Sequence, residues 1–100
     1  MAELIWTERA TTDLEDIYDF IAKDSHFYAK SQVEQIVNSV ERLHLFPESG
    51  RLLPEFPYLP QREVIVGNYR VIYRFDSSNE EVKIITVLHG SRLLKESYLT

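Results

Sequence analysis

Three arginines in the second half of the sequence are the side chains best suited to bind an anion. Arg70 and Arg74 are four positions apart in a stretch of alternating residues, so in a β-strand both would project from one face. Arg92 follows the next such stretch. A guanidinium group stays charged, and its planar fork fits a phosphate or a carboxylate. This pattern predicts a patch for RNA phosphates or an acidic partner; the alternative is ion pairing across the sheet with Glu63 or Glu81.

Side chains that could transfer a proton lie near these arginines. His89 ends an apolar stretch three positions before Arg92, and histidine side chains exchange a proton near neutral pH, as a general acid or base must. Glu63 and Tyr98 are two further candidates. The alternative for all three is an ordinary packing or surface role. The three histidines are scattered and cysteine is absent. The sequence therefore predicts no metal site and, without a glycine-rich phosphate loop, no cofactor.

The charge of the chain is unevenly distributed. Its 100 residues carry a formal net charge of −5. Residues 1–50 contribute −6, from four basic and ten acidic residues, and residues 51–100 contribute +1, from seven basic and six acidic residues. This balance excludes proteins that hold nucleic acid through a general basic surface.

The length and the 44% hydrophobic content predict a single domain over residues 1–100. No stretch of the sequence is long and apolar enough for a membrane span, and the N-terminus has no secretion-leader pattern. Together with the absence of cysteine, these observations predict a cytoplasmic location.

Two helices are expected in the acidic half. Thr7 is a good N-cap after a short apolar run, and apolar residues then recur at helical spacing from Ala10 to Ile21. A second apolar stripe begins after Asp24-Ser25 and ends before Pro47, since the residue preceding a proline avoids the helical region. The short connection between the two stripes predicts an antiparallel hairpin.

The remaining chain has the two-residue period of β-strands. Strands are expected at 62–66, 69–75 and 81–88, after a loop over 47–60 that holds all four prolines. With the N-terminal strand, this gives an α+β fold of order β-α-α-β-β-β. The hairpin packs on one face of an antiparallel sheet, and a short tail or helix follows.

The middle strand has two faces of different character. Tyr69, Tyr73 and Phe75 offer the larger apolar area, so we assign them to the face that the helices cover. Arg70 and Arg74 are then expected on the opposite, open face, which is the predicted functional surface.

Four segments of the sequence carry a family resemblance. They are Ile5-Trp6-Thr7, residues 13–21, Phe46-Pro47-Glu48-Ser49-Gly50-Arg51, and the strand pair 62–74 and 84–92. The most specific piece is a Gly-x-Tyr-Arg-Val-x-Tyr strand followed by a strand that ends in His-x-x-Arg. In these segments, which span nearly the whole chain, the sequence resembles the RelE/ParE superfamily of toxins from bacterial type II toxin–antitoxin systems, and it is closer to the ParE branch.

The resemblance implies a toxin with one of two targets. RelE-like members cut messenger RNA on the ribosome without a metal ion, whereas ParE-like members poison DNA gyrase by binding to it. On the RelE-like alternative, the resemblance makes Arg70 the strand arginine of the nuclease and Arg92 its C-terminal arginine. Tyr98 would be the tyrosine and His89 the histidine of such a site.

Two observations favour the ParE-like target. The lysines of RelE-like nucleases have no counterpart, because Gln61 and Glu63 stand near their positions. A net charge of −5 also disfavours docking on ribosomal RNA. The resemblance therefore implies a gyrase-binding poison that is not itself an enzyme. Arg92, with residues 91–100, is the predicted target contact, and Arg70 and Arg74 support it.

Either target implies a cognate antitoxin, of the ParD-like kind on the ParE-like alternative. Such antitoxins contain a DNA-binding part and a segment that folds on the toxin, so the toxin would contact DNA only through its antitoxin. The predicted docking surface is the groove between the helix hairpin and the sheet. Phe20, Phe27, Tyr28 and Arg74 are its expected contacts.

Overall fold

The two helices begin where the sequence predicted, at the Thr7 cap and after Asp24-Ser25. The computed structural model describes residues 1–99, and in it helix α1 spans Glu8–Ala22 and helix α2 spans His26–Ser39. The Thr7 Oγ1 accepts a hydrogen bond from the Ala10 N–H and the Ser25 Oγ accepts one from the Tyr28 N–H, each at 3.2 Å. Both caps satisfy a backbone donor that the first helical turn leaves free. The apolar stripe of α2 continues past its end as a 3₁₀ turn over Glu41–His44.

The sheet has five strands within residues 1–99, in the spatial order β1-β5-β4-β3-β2. The strands are β1 (Glu3–Trp6), β2 (Arg51–Leu52), β3 (Arg62–Val66), β4 (Tyr69–Asp76) and β5 (Glu81–His89). The predicted α+β order is confirmed, with one addition: β2 is a two-residue strand inside the proline loop, where the sequence has no strand periodicity.

The sheet is mixed, so the expectation of a purely antiparallel sheet is wrong in one respect. Strand β1 pairs in parallel with β5, from Glu3 opposite Glu81 to Trp6 opposite Ile84, while the other neighbours are antiparallel. The two helices return the chain to β2 at the opposite edge of the sheet, and the antiparallel strands then lead back to β5 beside β1. Residue periodicity in β1 carries no information about which strand it pairs with.

The main core lies between the hairpin and the sheet. Val71 and Tyr73 of β4 are fully buried there against Ile36, Val40 and Leu43. Tyr69 and Phe75 pack against the same cluster. The assignment of the aromatic face of β4 to the helices is therefore confirmed.

The opposite face of the sheet is not open, and this corrects the sequence-based prediction. Ile72 and Leu88 are buried on that face beneath Leu53 of the proline loop and beneath Leu94 and Leu99 of the C-terminal tail. The apolar side chains between the arginines need a cover, and the loop and tail supply it. Arg74 remains exposed, whereas Arg70 is buried to 8% exposure. The tail forms a 3₁₀ turn over Glu96–Leu99, and Thr100 lies outside the described residues.

One turn positions the end of β5. Gly67, at φ +58°, begins the tight turn between β3 and β4, and this left-handed conformation favours glycine. The Gly90 N–H donates to the Asn68 carbonyl oxygen of the same turn at 2.6 Å. His89, at the end of β5, is thereby held beside the start of β4, where Tyr69 is its register partner.

Within residues 1–99, none of the helices is long and apolar enough to cross a membrane.

Candidate functional site

Four charged side chains form a cluster under the proline loop, which we call the Arg70 cluster: Arg51, Glu55, Glu63 and Arg70. The Arg70 Nε donates to Glu63 Oε1 at 2.6 Å, and its Nη1 and Nη2 donate to the two Glu55 oxygens at 2.6 and 2.8 Å. The Arg51 Nε donates to the other Glu63 oxygen at 2.6 Å. Each carboxylate oxygen of the cluster thus accepts a hydrogen bond from a guanidinium group.

The central pair of the Arg70 cluster, Glu63 and Arg70, is buried, and the cluster as a whole is electrically balanced. The side chain of Glu63 is 0% exposed and that of Arg70 is 9% exposed. Hydrogen bonding to Glu55 and Glu63 raises the pKa of the Arg70 guanidinium, although burial opposes this. The Arg70 hydrogen bond in turn lowers the pKa of the Glu55 carboxyl. Two positive and two negative charges therefore cancel, and both members of the Arg70–Glu55 pair stay ionised at neutral pH.

Arg51 and Glu55 are the members of the cluster that sequence reasoning missed as site residues. Both lie in the proline loop, whose residues have no periodicity that would relate them to a strand. The pairing of Arg70 with Glu63, which the sequence offered as an alternative to a free anion-binding patch, is present. Glu63 was the indication in the sequence that Arg70 would be paired. Its side chain lies on the same face of the sheet as Ile72, and a carboxylate on a covered face needs a cation as its partner.

His89 separates two hollows at the end of the sheet. The first, of about 470 Å³, is lined by Arg51, Glu55, Arg70, His89 and Ser91, among others. The Ser91 N–H donates to His89 Nδ1 at 3.0 Å, so the neutral ring carries its proton on Nε2. The ring also packs edge-on against Tyr69, with 5.3 Å between ring centroids. His89 is thus held in one orientation beside the Arg70 cluster.

The second hollow is a groove of about 450 Å³ between α1 and the end of β5. Its lining includes Asp16, Phe20, Tyr69, His89 and Arg92. Asp13 holds the two walls together, because its Oδ2 accepts from Thr86 Oγ1 at 2.5 Å and from the Val87 N–H at 2.9 Å. This groove lies between the helix hairpin and the sheet, where the antitoxin-docking surface was expected.

The residues proposed for catalysis are not assembled into one site. Arg92 is exposed in the groove, whereas Arg70 is enclosed by its ion-pair partners in the Arg70 cluster. Tyr98 packs in the second core, with the Arg9 guanidinium 5.0 Å from its ring centroid, and lines neither hollow. Of the four residues proposed for catalysis, only His89 borders both hollows. Within residues 1–99, no group of three histidine or acidic residues could hold a metal ion.

The residues proposed for binding are mostly exposed. Phe20, Phe27 and Tyr28 are 70%, 77% and 68% exposed, respectively, and Arg74 is exposed on β4. Phe20 lines the groove, while Phe27 and Tyr28 make an edge-on ring contact with each other at the start of α2. Arg70 is the exception, because it is buried and its Nε, Nη1 and Nη2 each donate to a carboxylate.

Comparison with known proteins identifies the family. A family model described as the ParE toxin of the type II toxin–antitoxin system parDE matches residues 4–94. The chain belongs to the ParE toxin family. This ParE-family toxin is also 32% identical over 93 residues to Toxin RelE2 of Caulobacter vibrioides, covering 93% of this chain and 100% of that protein.

Solved structures agree with this family assignment. The ParE-family toxin matches a chain of the chromosomal ParDE toxin–antitoxin system from P. aeruginosa with a TM-score of 0.73 and 26% identity, over 89% of this chain and 96% of that one. It matches the isolated E. coli RelE toxin with a TM-score of 0.64 and 19% identity, over 99% and 93% of the two chains, which shows the shared fold alone. The resemblance to the RelE/ParE superfamily is thereby confirmed.

The Glu55–Arg70 pair gives the toxin a pH-dependent contribution to stability. Because the pKa of Glu55 is lowered in the folded state, its contribution is present above the unfolded-state pKa and is lost as pH falls through the folded-state pKa. We expect Glu55→Gln to lower the free energy of unfolding at neutral pH and to reduce the loss of stability below about pH 4. Urea unfolding at neutral and acidic pH measures both effects.

The control for this measurement is Glu48→Gln, which removes an exposed carboxylate from the segment before β2. It should leave the free energy of unfolding at neutral pH nearly unchanged. Equal effects of the two substitutions at neutral pH would show that the Glu55–Arg70 pair contributes nothing to stability.

Proposed function

We propose that this ParE-family toxin inhibits DNA gyrase by binding to it, and that a ParD-like antitoxin neutralises it. The observation that carries the proposal is the neutralisation of Arg70. Cleavage of a phosphodiester needs a cation aimed at the developing charge of the phosphate. In the Arg70 cluster, the candidate cation, the Arg70 guanidinium, already donates hydrogen bonds to Glu55 and Glu63. Inhibition by binding requires no such group.

The family model and the P. aeruginosa ParDE structure support the same choice of target class. The proposal places the toxin in the cytoplasm, where it would contact DNA only through its antitoxin. Arg92 and Arg74 are the proposed target contacts among the exposed arginines. Phe20, in the groove, and Phe27 and Tyr28, at the start of α2, are the proposed contacts of the antitoxin.

A second candidate function is ribosome-dependent cleavage of messenger RNA. The observation in its favour is the first hollow, where Arg51, Arg70 and His89 surround a space of about 470 Å³. The similarity to a protein named Toxin RelE2 supports the same alternative. This metal-independent reaction would require Glu55 to leave Arg70, so that the guanidinium could hold the phosphate while His89 transferred a proton.

Purified toxin tested in two assays separates these functions. On the gyrase proposal, the toxin inhibits supercoiling and causes cleaved DNA to accumulate, and it leaves messenger RNA intact in a translating extract. Messenger RNA cut in the extract, with gyrase unaffected, would replace the proposal by the ribonuclease alternative.

Replacing Arg92 tests the proposed target contact. The Arg92 side chain is exposed and has no ion-pair partner within residues 1–99, so Arg92→Ala should fold normally. We expect it to weaken gyrase inhibition about tenfold, the effect of losing one well-placed interface arginine. Lys95→Ala removes an exposed cation from the same tail and is the matched control. Similar inhibition by Arg92→Ala and wild type would exclude Arg92 as a contact.

A further inference from the structure

The chain leaves β5 through a turn that is held by several hydrogen bonds, and we call residues 89–93 the β5 turn. The Arg92 N–H donates to the His89 carbonyl oxygen at 3.0 Å, which closes the turn on itself. The Gly90 N–H donates to the Asn68 carbonyl oxygen, and this bond fixes the β5 turn to the turn between β3 and β4. The β5 turn is therefore preorganised, although most of its residues are exposed.

The side chain of His89 supplies a further hydrogen bond of the β5 turn. Its Nδ1 accepts from the Ser91 N–H at 3.0 Å, and the Ser91 Oγ lies 2.7 Å from the same nitrogen. Asparagine side chains make the same kind of bond to the N–H two residues ahead. The imidazole is itself held by its edge-on contact with Tyr69 of β4, which packs against the main core. His89 thus fixes the β5 turn relative to the sheet.

The β5 turn displays two consecutive side chains to solvent. Arg92 is exposed and has no ion-pair partner in the described part of the chain, and Leu93 is 75% exposed. Leu94 is buried in the second core, so the backbone is anchored immediately after this pair. Consecutive Cα atoms are about 3.8 Å apart, which puts both side chains within reach of one partner surface. A backbone that is already ordered loses little conformational entropy when such a contact forms.

We propose that His89 is a positioning residue for target binding, and that Arg92 and Leu93 contact the target together. The inference rests on the proposed function, in which Arg92 contacts gyrase, and it adds an apolar contact and the side chain that orients both. A free guanidinium group beside an exposed leucine fits an apolar site that is bordered by carboxylates. The contacted surface of the target is therefore acidic at its border.

This role of His89 differs in its chemistry from the proton transfer of the ribonuclease alternative. Proton transfer requires the imidazole, which exchanges a proton near neutral pH. Positioning requires only an atom that accepts from the Ser91 N–H where Nδ1 now lies. Asparagine offers such an atom and does not exchange a proton near neutral pH, whereas alanine has no acceptor. The substitutions His89→Asn and His89→Ala therefore distinguish the two roles.

Binding of the labelled full-length toxin to purified gyrase tests the apolar contact. Leu93→Ala should weaken binding about fivefold, because it removes most of the apolar area of the exposed side chain. The matched control is Leu45→Ala, at a leucine that is 65% exposed and borders a hollow with Phe75 and Glu80 at the other end of β4 and β5. It should change binding by less than about twofold.

The salt dependence of binding tests the acidic border of the target site. Added salt should weaken binding of the wild-type toxin more steeply than binding of Arg92→Ala, because this variant lacks the charge that pairs with the border. Equal salt dependence of the two proteins would overturn the inference that the contacted surface is acidic.

The two substitutions of His89 test its positioning role. Both remove the ring that packs on Tyr69, so the difference between them isolates the hydrogen bond to Ser91. His89→Ala should weaken gyrase binding about fivefold and speed hydrogen exchange of the Ser91 amide, and His89→Asn should recover most of both. Equal binding by His89→Ala and His89→Asn would exclude a positioning role for His89.

Two results would contradict the inference in different ways. If wild-type toxin binds gyrase, and Leu93→Ala and His89→Ala bind like the Leu45→Ala control, the inference is wrong and the proposed function stands. If wild-type toxin does not bind gyrase, the proposed function and this inference both fail.

Discussion

Replacing Arg70 with alanine is expected to lower the free energy of unfolding by about 3–5 kcal/mol, a large part of the stability of a small domain. The Glu63 side chain is 0% exposed and would keep Arg51 as its remaining charged partner, on one oxygen. Glu55 would lose both hydrogen bonds to Arg70 and no longer tie the proline loop to β4. Urea unfolding of the two proteins measures the difference.

The control for this substitution is Arg74→Ala on the same strand. Arg74 is exposed, so its removal should change the free energy of unfolding by less than about 0.5 kcal/mol. Replacing the buried pair together, as Arg70→Met with Glu63→Leu, should recover most of the loss because no buried charge is left without a partner. Glu55 and Arg51 lose their partners in this variant, but both side chains reach solvent. A loss below about 1 kcal/mol for Arg70→Ala would mean that water reaches Glu63.

This prediction changes how toxicity assays on Arg70 are interpreted. Loss of toxicity in Arg70→Ala would follow from unfolding alone, without any role for Arg70 in phosphate chemistry. Arg92→Ala, at an exposed position, does not have this ambiguity.

The second large effect is expected for Gly50→Ala. A Cβ at residue 50 would lie 2.6 Å from the Tyr73 hydroxyl oxygen and 2.7 Å from the Glu63 carbonyl oxygen. The Gly50 N–H donates to the Tyr73 hydroxyl at 2.9 Å, so the close approach is part of a buried hydrogen bond. Relieving the clash would move β2 away from β3 and break this bond. We expect the free energy of unfolding to fall by about 3 kcal/mol, as measured by thermal or urea unfolding.

Gly90→Ala is the matched glycine substitution. Its Cβ would meet the Asn68 carbonyl oxygen at 3.3 Å, at an exposed turn. We expect a loss of less than about 1 kcal/mol, because a shift of a few tenths of an ångström relieves the contact. If Gly50→Ala were as stable as Gly90→Ala, the segment before β2 would have to move freely.

The parts of the fold that the sequence predicted are those determined by neighbouring residues. Thr7 and Ser25 cap helices because their side chains reach a backbone N–H three positions ahead. The two-residue period places Tyr73 and Ile72 on opposite faces of β4, and both the helix-covered face and its aromatic content were predicted correctly. Each of these features requires only information within one element.

The parts that were missed depend on contacts between distant segments. The second face of the sheet is covered because Leu53 and Leu94, from two different loops, meet on Ile72. Neither loop has a period that indicates its docking site. The apolar residue between Arg70 and Arg74 was the local indication that this face needed a cover.

Contacts between distant segments also explain why the predicted site residues do not form one site. His89 and Arg92 are close in the chain and border one groove, as their spacing suggested. Tyr98 is nearly as close in sequence, yet the tail turns it into the second core beside Arg9 of the first helix. Arg70 was recognised as chemically important, but its partner Glu55 comes from a loop that only tertiary structure brings to it.

The parallel pairing of β1 with β5 also determines when the toxin can complete its fold during its own synthesis. Thr7, which follows β1, bonds through its hydroxyl to the Ile84 carbonyl oxygen across a sequence separation of 77 residues. At a translation rate of roughly 5–20 residues per second, β1 waits on the order of 4–15 s before its strand partner is made. Until then, the sheet that the hairpin covers lacks β5, and β1 has no neighbouring strand. A nascent chain therefore exposes its helices first and completes its sheet last, so the folded surfaces that contact other proteins form only after β5 has left the ribosome.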